Sequence, residues 1–121
     1  MSLKMIIDEI DRYKHRARRA EILQTAVKKY GYDMQIDICI EEMAELTKAL
    51  IKMRRNWNEP PAGWTFNKEY IEHQKAIIEE IADVQIMLDQ MRIIYGNTAK
   101  VEDAKLDRLC IRLERDGLIK Y

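Results

Sequence analysis

The densest chemistry in this 121-residue chain is acidic: Glu41, Glu42 and Glu45 in the segment IEEMAEL, then Glu79, Glu80 and Asp83 in IEEIADV. Residues three apart on a helix project from nearly the same side, so Glu42 with Glu45 forms one carboxylate pair and Glu80 with Asp83 another. Like charges at this spacing cost about 0.2–0.5 kcal/mol per pair in an isolated helix, and convergence of two pairs costs more. A cation relieves that penalty. Oxygen donors without a Cys or a paired His select Mg²⁺, with Mn²⁺ as the alternative, over Zn²⁺. A carboxylate-bridged di-iron centre needs Glu-x-x-His on two helices, and neither His15 nor His73 stands three residues after a Glu. The plainer alternative is that these glutamates are good helix formers on solvated faces. Against it stands the recurrence of one pattern, two acids followed by an apolar residue, Ala and a third acid, in two segments that a helical bundle can place face to face.

The elements that must position these groups are helices. Four Gly and two Pro punctuate the chain, and between them apolar residues recur at spacings of three and four. Leu3, Ile6, Ile7, Ile10, Tyr13 and Ala17 begin one long or bent first helix, and Ile22, Leu23, Ala26, Val27 and Tyr30 continue it on a rotated face to Gly31. Asp33 is the expected cap of a second helix, whose stripe Ile36, Ile40, Met43, Thr47, Leu50 and Ile51 runs to about Arg55. The segment NWNEPPAGWTF, residues 56–66, must be a loop, since Pro-Pro and Gly interrupt the pattern. Asn67 is the expected cap of a third helix that carries Ile71, Ile78, Ile81, Gln85 and Leu88 on one face, widened by Ile77, Val84 and Met91, and ends at Gly96. Asn97 or Thr98 caps a fourth, with Glu102 and Asp103 in its first turn and Leu106, Leu109, Cys110 and Leu113 on its expected buried side, closed by Gly117. The expectation is an all-α, four-helix bundle in a single domain over residues 1–121.

At the acidic residues the sequence resembles the MazG-like all-α nucleoside triphosphate pyrophosphohydrolases, which carry Glu-Glu-x-x-Glu on one helix and Glu-x-x-Asp on a following one. The matching positions are Glu41, Glu42 and Glu45, then Glu80 and Asp83. The resemblance implies that Glu42, Glu45, Glu80 and Asp83 hold Mg²⁺, that Glu41 orients water beside them, and that hydrolysis falls between the α- and β-phosphates of a nucleoside triphosphate. Glu41 and Glu45 are then the candidates for removing a proton from the attacking water. Two departures are visible: the connection from Glu45 to Glu80 is lengthened by the NWNEPPAGWTF segment, and Met87 stands where relatives often have Tyr. The alternatives are a phosphoribosyl-ATP pyrophosphohydrolase and a non-catalytic helical interaction module.

Triphosphates need positive partners besides a metal. Lys105, Arg108 and Arg112 fall at i, i+3 and i+7 and form one basic strip on the fourth helix, placed to reach over a bundle edge towards phosphates. Trp57 and Trp64 in the loop are candidates for stacking on a nucleobase or for anchoring the loop. The run Arg12, Lys14, Arg16, Arg18 and Arg19 is spread around its helix with no interleaved aromatic platform, which favours a solvated or subunit-contacting face. His73 is expected to take a surface or capping role, and the seven Met residues to fill the core.

Composition sets the outer bounds. Lys and Arg number 21 and Asp and Glu number 21, so no global field attracts nucleic acid or an anionic membrane. No run of apolar residues is long enough to span a bilayer, and Lys4, Asp8 and Glu9 interrupt the N-terminal segment, unlike a secretory signal. A cytoplasmic protein is expected, with Cys39 and Cys110 as free thiols. A first helix of roughly 28 residues would be about 42 Å long, more than one small bundle covers, so a homodimer or homotetramer is expected.

Overall fold

A computed structural model describes residues 1–56 and 68–120. They form four α-helices: α1 Leu3–Tyr30, α2 Tyr32–Asn56, α3 Lys68–Tyr95 and α4 Ala99–Arg115. There is no strand among the described residues. Trp57, Trp64 and the expected cap Asn67 lie outside them.

The helix ends follow from local chemistry. The Ser2 hydroxyl accepts from the Met5 N–H at 3.2 Å and opens α1, which then runs unbroken for 28 residues. Gly31 stops it at φ +87°, a conformation costly for a side chain with a Cβ, and its N–H donates to the Val27 carbonyl. Asp33 is not the cap of α2. The helix has already begun at Tyr32, with the Gln35 N–H donating to the Gly31 carbonyl, and Asp33 sits in the first turn. At the end of α4, Leu118 N–H donates to Leu113 and Gly117 N–H to Glu114, the paired bonds of a Schellman turn around Gly117 at φ +75°.

The principal packing pair is α2 against α3. The two run antiparallel: Gln35 near the start of α2 bonds Gln90 near the end of α3, and Asn56 at the end of α2 meets His73 near the start of α3. Residues withdrawn from solvent repeat at alternating steps of three and four. On α2 they include Gln35, Cys39, Glu42, Leu46, Ala49 and Met53, with Ile36 and Ile38 half-buried beside them; on α3 they include His73, Ile77, Glu80, Val84, Met87 and Met91. This is the spacing of a two-helix seam. It is not the stripe expected on α2 from apolar residues alone: Ile40 is 57% exposed, Met43, Leu50 and Ile51 are also exposed, and on α3 so are Ile78 and Ile81. The seam admits polar residues where they meet a partner, and so it turns several apolar residues outward.

The C-terminal half of α1 packs on this hairpin through Leu23 and Val27, both buried, as the rotated stripe predicts. An ion pair helps hold it: Arg19 donates twice to Asp89 Oδ2, at 3.2 and 2.8 Å, and Arg92 donates to Asp89 Oδ1 at 2.8 Å. The hydrophobic core of the described residues is Leu23, Val27, Cys39, Val84 and Met87. Of the methionines only Met87 is buried; Met1, Met5, Met34 and Met43 are exposed, so core filling is not their common role. The first half of α1 is exposed throughout.

Helix α4 differs from the bundle position expected for it. It packs on none of the other helices and buries no residue; Leu106 is 60% exposed and Leu109 is exposed as well, with Cys110 and Leu113 only half-buried. The Arg92 guanidinium donates to the Thr98 hydroxyl, which donates to Glu102, while the Asn97 side-chain oxygen accepts from the Ala99 N–H. These bonds join the start of α4 to the end of α3. No helix of the described residues is long and apolar enough to cross a membrane.

Candidate metal centre

Glu42 and Glu80 occupy seam positions of α2 and α3, so the packing that buries Cys39, Val84 and Met87 also draws these two carboxylates together. Asp83, one turn beyond Glu80, completes the group. One oxygen from each of Glu42, Glu80 and Asp83 lies within 4.8 Å of the others; the two glutamates are half-buried and Asp83 is exposed. Below them the seam is closed by Val84, Met87 and the Cys39 thiol, whose pKa burial raises. The site is thus a carboxylate cluster half-buried at its two glutamates and exposed at Asp83.

Its electrostatics are unrelieved by any basic partner among the described residues. Loss of water around Glu42, followed by the charges of Asp83, Glu80, Glu41 and Glu45, raises the Glu42 pKa. Glu80 Oε2 is buried with no hydrogen-bond partner. Buried carboxylate oxygens are normally satisfied, and an unpartnered one on a member of this cluster is the kind of atom a cation would satisfy. On an octahedral ion with oxygens at about 2.0–2.1 Å, neighbouring ligands lie about 2.9 Å apart and opposite ones about 4.2 Å, so the three side chains would have to turn inward from their spacing of up to 4.8 Å to share one ion. Hard oxygen donors with space at the rim for waters suit Mg²⁺ or Mn²⁺.

The six acidic residues singled out by spacing do not all arrive at one point. Glu42, Glu80 and Asp83 converge; Glu41 and Glu45 are exposed on α2 outside that trio, close enough for their charges to be felt at Glu42. Glu79 is exposed. Lys105, Arg108 and Arg112 share one face of α4 and, with Ile111 and Arg115, line a groove made by that helix alone, so within the chain the basic strip does not meet the acidic cluster. His73 stays out of the cluster and pairs with Asn56, its Nε2 2.9 Å from the Asn56 side-chain nitrogen.

Sequence spacing does not single out the buried amide pair Gln35–Gln90, 2.5 Å from nitrogen to oxygen, because the stripes drawn through the apolar residues take in Thr47 and Gln85 and pass by both of these glutamines. Continuing the seam backwards from Glu42 through Cys39 to Gln35 in steps of three and four would have found it. No family model, curated protein or solved structure matches the chain.

Proposed function

We propose that this chain is a Mg²⁺-dependent nucleoside triphosphate pyrophosphohydrolase, releasing a nucleoside monophosphate and pyrophosphate, with Mn²⁺ able to replace Mg²⁺. The observation that carries the reading is the trio Glu42, Glu80 and Asp83 with its orphaned oxygen. The MazG-like motif on which these residues fall supplies the reaction.

In this reading Glu42, Glu80 and Asp83 hold the cation, and Glu45, one turn along α2, joins them or accepts a proton. The bound ion supplies charge neutralisation at the α-phosphoryl group and a more acidic attacking water. Glu41 and Glu45, exposed at the rim, orient that water and take its proton. Lys105, Arg108 and Arg112 hold the leaving pyrophosphate. In the described chain the strip stands apart from the acids, so holding pyrophosphate requires α4 of this or of a second copy to be brought to them. The protein acts as a homodimer or homotetramer in the cytoplasm, without nucleic-acid or membrane partners.

The test is hydrolysis of a panel of ribo- and deoxyribonucleoside triphosphates, and of phosphoribosyl-ATP, with Mg²⁺ and product identification. Monophosphate plus pyrophosphate is expected, falling at least ~100-fold in Glu42→Gln and Asp83→Asn. Release of orthophosphate, or full activity in both variants, overturns the mechanism. Thermal stabilisation by Mg²⁺ without substrate should grow as pH rises through the raised Glu42 pKa, because the ligand must be ionised and the unrelieved repulsion is then greatest.

A further inference from the structure

The first half of α1 presents a second surface, independent of the acidic cluster. Leu3, Ile6, Ile10, Tyr13, Ala17 and Ala20 recur at steps of three, four, three, four and three, and all are exposed; Leu3 is 73% and Tyr13 68% exposed. Such a seam on a helix that extends beyond its own hairpin requires a cover.

The seam is self-complementary when reversed. In an antiparallel pair with a two-fold axis between residues 11 and 12, Leu3 faces the partner's Ala20, Ile6 faces the partner's Ala17, and Ile10 faces the partner's Tyr13. Two of the three layers thus set a large residue against a small one, and the third sets an aliphatic side chain against a ring, which lets the helices approach closely. Charge chooses the direction. Residues 3–11 carry Asp8, Glu9 and Asp11 against a single Lys4, whereas residues 12–19 carry Arg12, Lys14, Arg16, Arg18 and Arg19 with no acid. Parallel pairing sets five cations against five. Antiparallel pairing sets each basic block beside the partner's acidic one, with Glu9 across from the partner's Arg16 twice by symmetry. Glu9 also pairs with Arg12 of its own helix at 2.8 Å. Ala20 also borders a cleft of about 230 Å³ shared with Leu23 and Ile93 of α3, where the partner's Leu3 finds apolar surface.

We propose that the first half of α1 is a dimerisation surface that pairs antiparallel with the same segment of a second copy. The surface gives the basic run of α1 a role, apart from Arg19, which pairs with Asp89 in its own chain: it is the electrostatic half of an interface between copies.

Two single-cysteine variants test the register, Ile10→Cys and Tyr13→Cys, each carrying Cys110→Ser so that the buried Cys39 is the only other thiol. Mixed under mild oxidation, they should form a covalent heterodimer at least ~10-fold faster than either forms a self-linked dimer, since positions 10 and 13 face each other across the axis. Faster self-linking of each variant would make the pair parallel and overturn the proposal. Sedimentation should show the unmodified chain as a dimer or larger; Ile6→Glu should return it towards monomer with an unchanged helical circular dichroism spectrum. Glu9→Arg should weaken association about tenfold and Glu9→Arg with Arg16→Glu should restore it. A monomer at all concentrations up to about 0.1 mM, or no recovery in the charge swap, also refutes it. None of these readouts needs metal or substrate, so the surface can fail while the hydrolase reading stands, and the reverse.

Discussion

The α2–α3 hairpin and helix α4 carry the same kind of raw material and end differently. Both are amphipathic, both mix Leu, Ile and charge, and α4 is the more clearly two-faced of the pair. Yet the hairpin packs along most of its length while α4 buries nothing. An apolar stripe is therefore not a packing address. Two long helices, antiparallel and in register from Gln35–Gln90 at one end to Asn56–His73 at the other, offer each other a continuous seam. Helix α4 is tied to the end of α3 by the Arg92–Thr98–Glu102 chain of hydrogen bonds and meets no such partner among the described residues. The first half of α1 shares that condition, and its second half shows the transition between the two, with burial beginning at Leu23.

The contrast can be broken most severely in the seam. Met87→Ala removes one of the few buried apolar side chains of the molecule and should cost about 2–4 kcal/mol in urea unfolding of the metal-free protein. A loss below about 1 kcal/mol would mean that the seam is looser than the burial of Met87 implies.

An intermediate effect is expected where α1 joins the hairpin. Burial by itself would raise the Asp89 pKa, but the hydrogen bonds and charge of Arg19, together with Arg92, outweigh it and hold the carboxyl below its ordinary value. A carboxylate whose native pKa is lowered contributes stability above its unfolded value, near 3.9, and loses it as pH falls through the native one. The Arg19 side chain is 43% exposed, so solvent screens the pair. Asp89→Asn should accordingly cost about 1 kcal/mol at neutral pH, and the variant should lose less stability than the parent as pH falls below about 4, in parallel thermal melts.

The smallest effect belongs to α4. Leu109→Ser should change the stability of the chain by less than about 0.5 kcal/mol, because among the described residues no other helix packs on α4 and Leu109 is exposed. A larger loss, growing with protein concentration, would show that a second copy covers it.

Much of this molecule was open to reading in its residues. Gly31, Gly96 and Gly117 end helices where the spacing says they should, since each takes a positive φ. The doubled acidic pattern led to the convergent trio because a three-residue step is a local property of a helix. The inward faces of α2 and α3 were less legible. Counting apolar residues selects Ile36, Ile40, Met43, Leu50 and Ile51, whereas the actual seam runs through Gln35, Cys39, Glu42 and Leu46. Periodicity counts side chains that dislike water, and a seam can be built equally from side chains that have something to meet, such as the paired amides of Gln35 and Gln90.

Sequence alone determined what is local: four helices, their ends, and which carboxylates share a side of each. Tertiary structure alone decided that Glu42, Glu80 and Asp83 meet while Glu41 and Glu45 stay at the rim, and that the basic strip of α4 stands apart from them within the chain. The division has a physical reason. Helix formation and capping are settled over three or four residues of backbone, whereas the meeting of two helices depends on register across some forty residues of chain, where one step of the seam carries every side chain to a different neighbour.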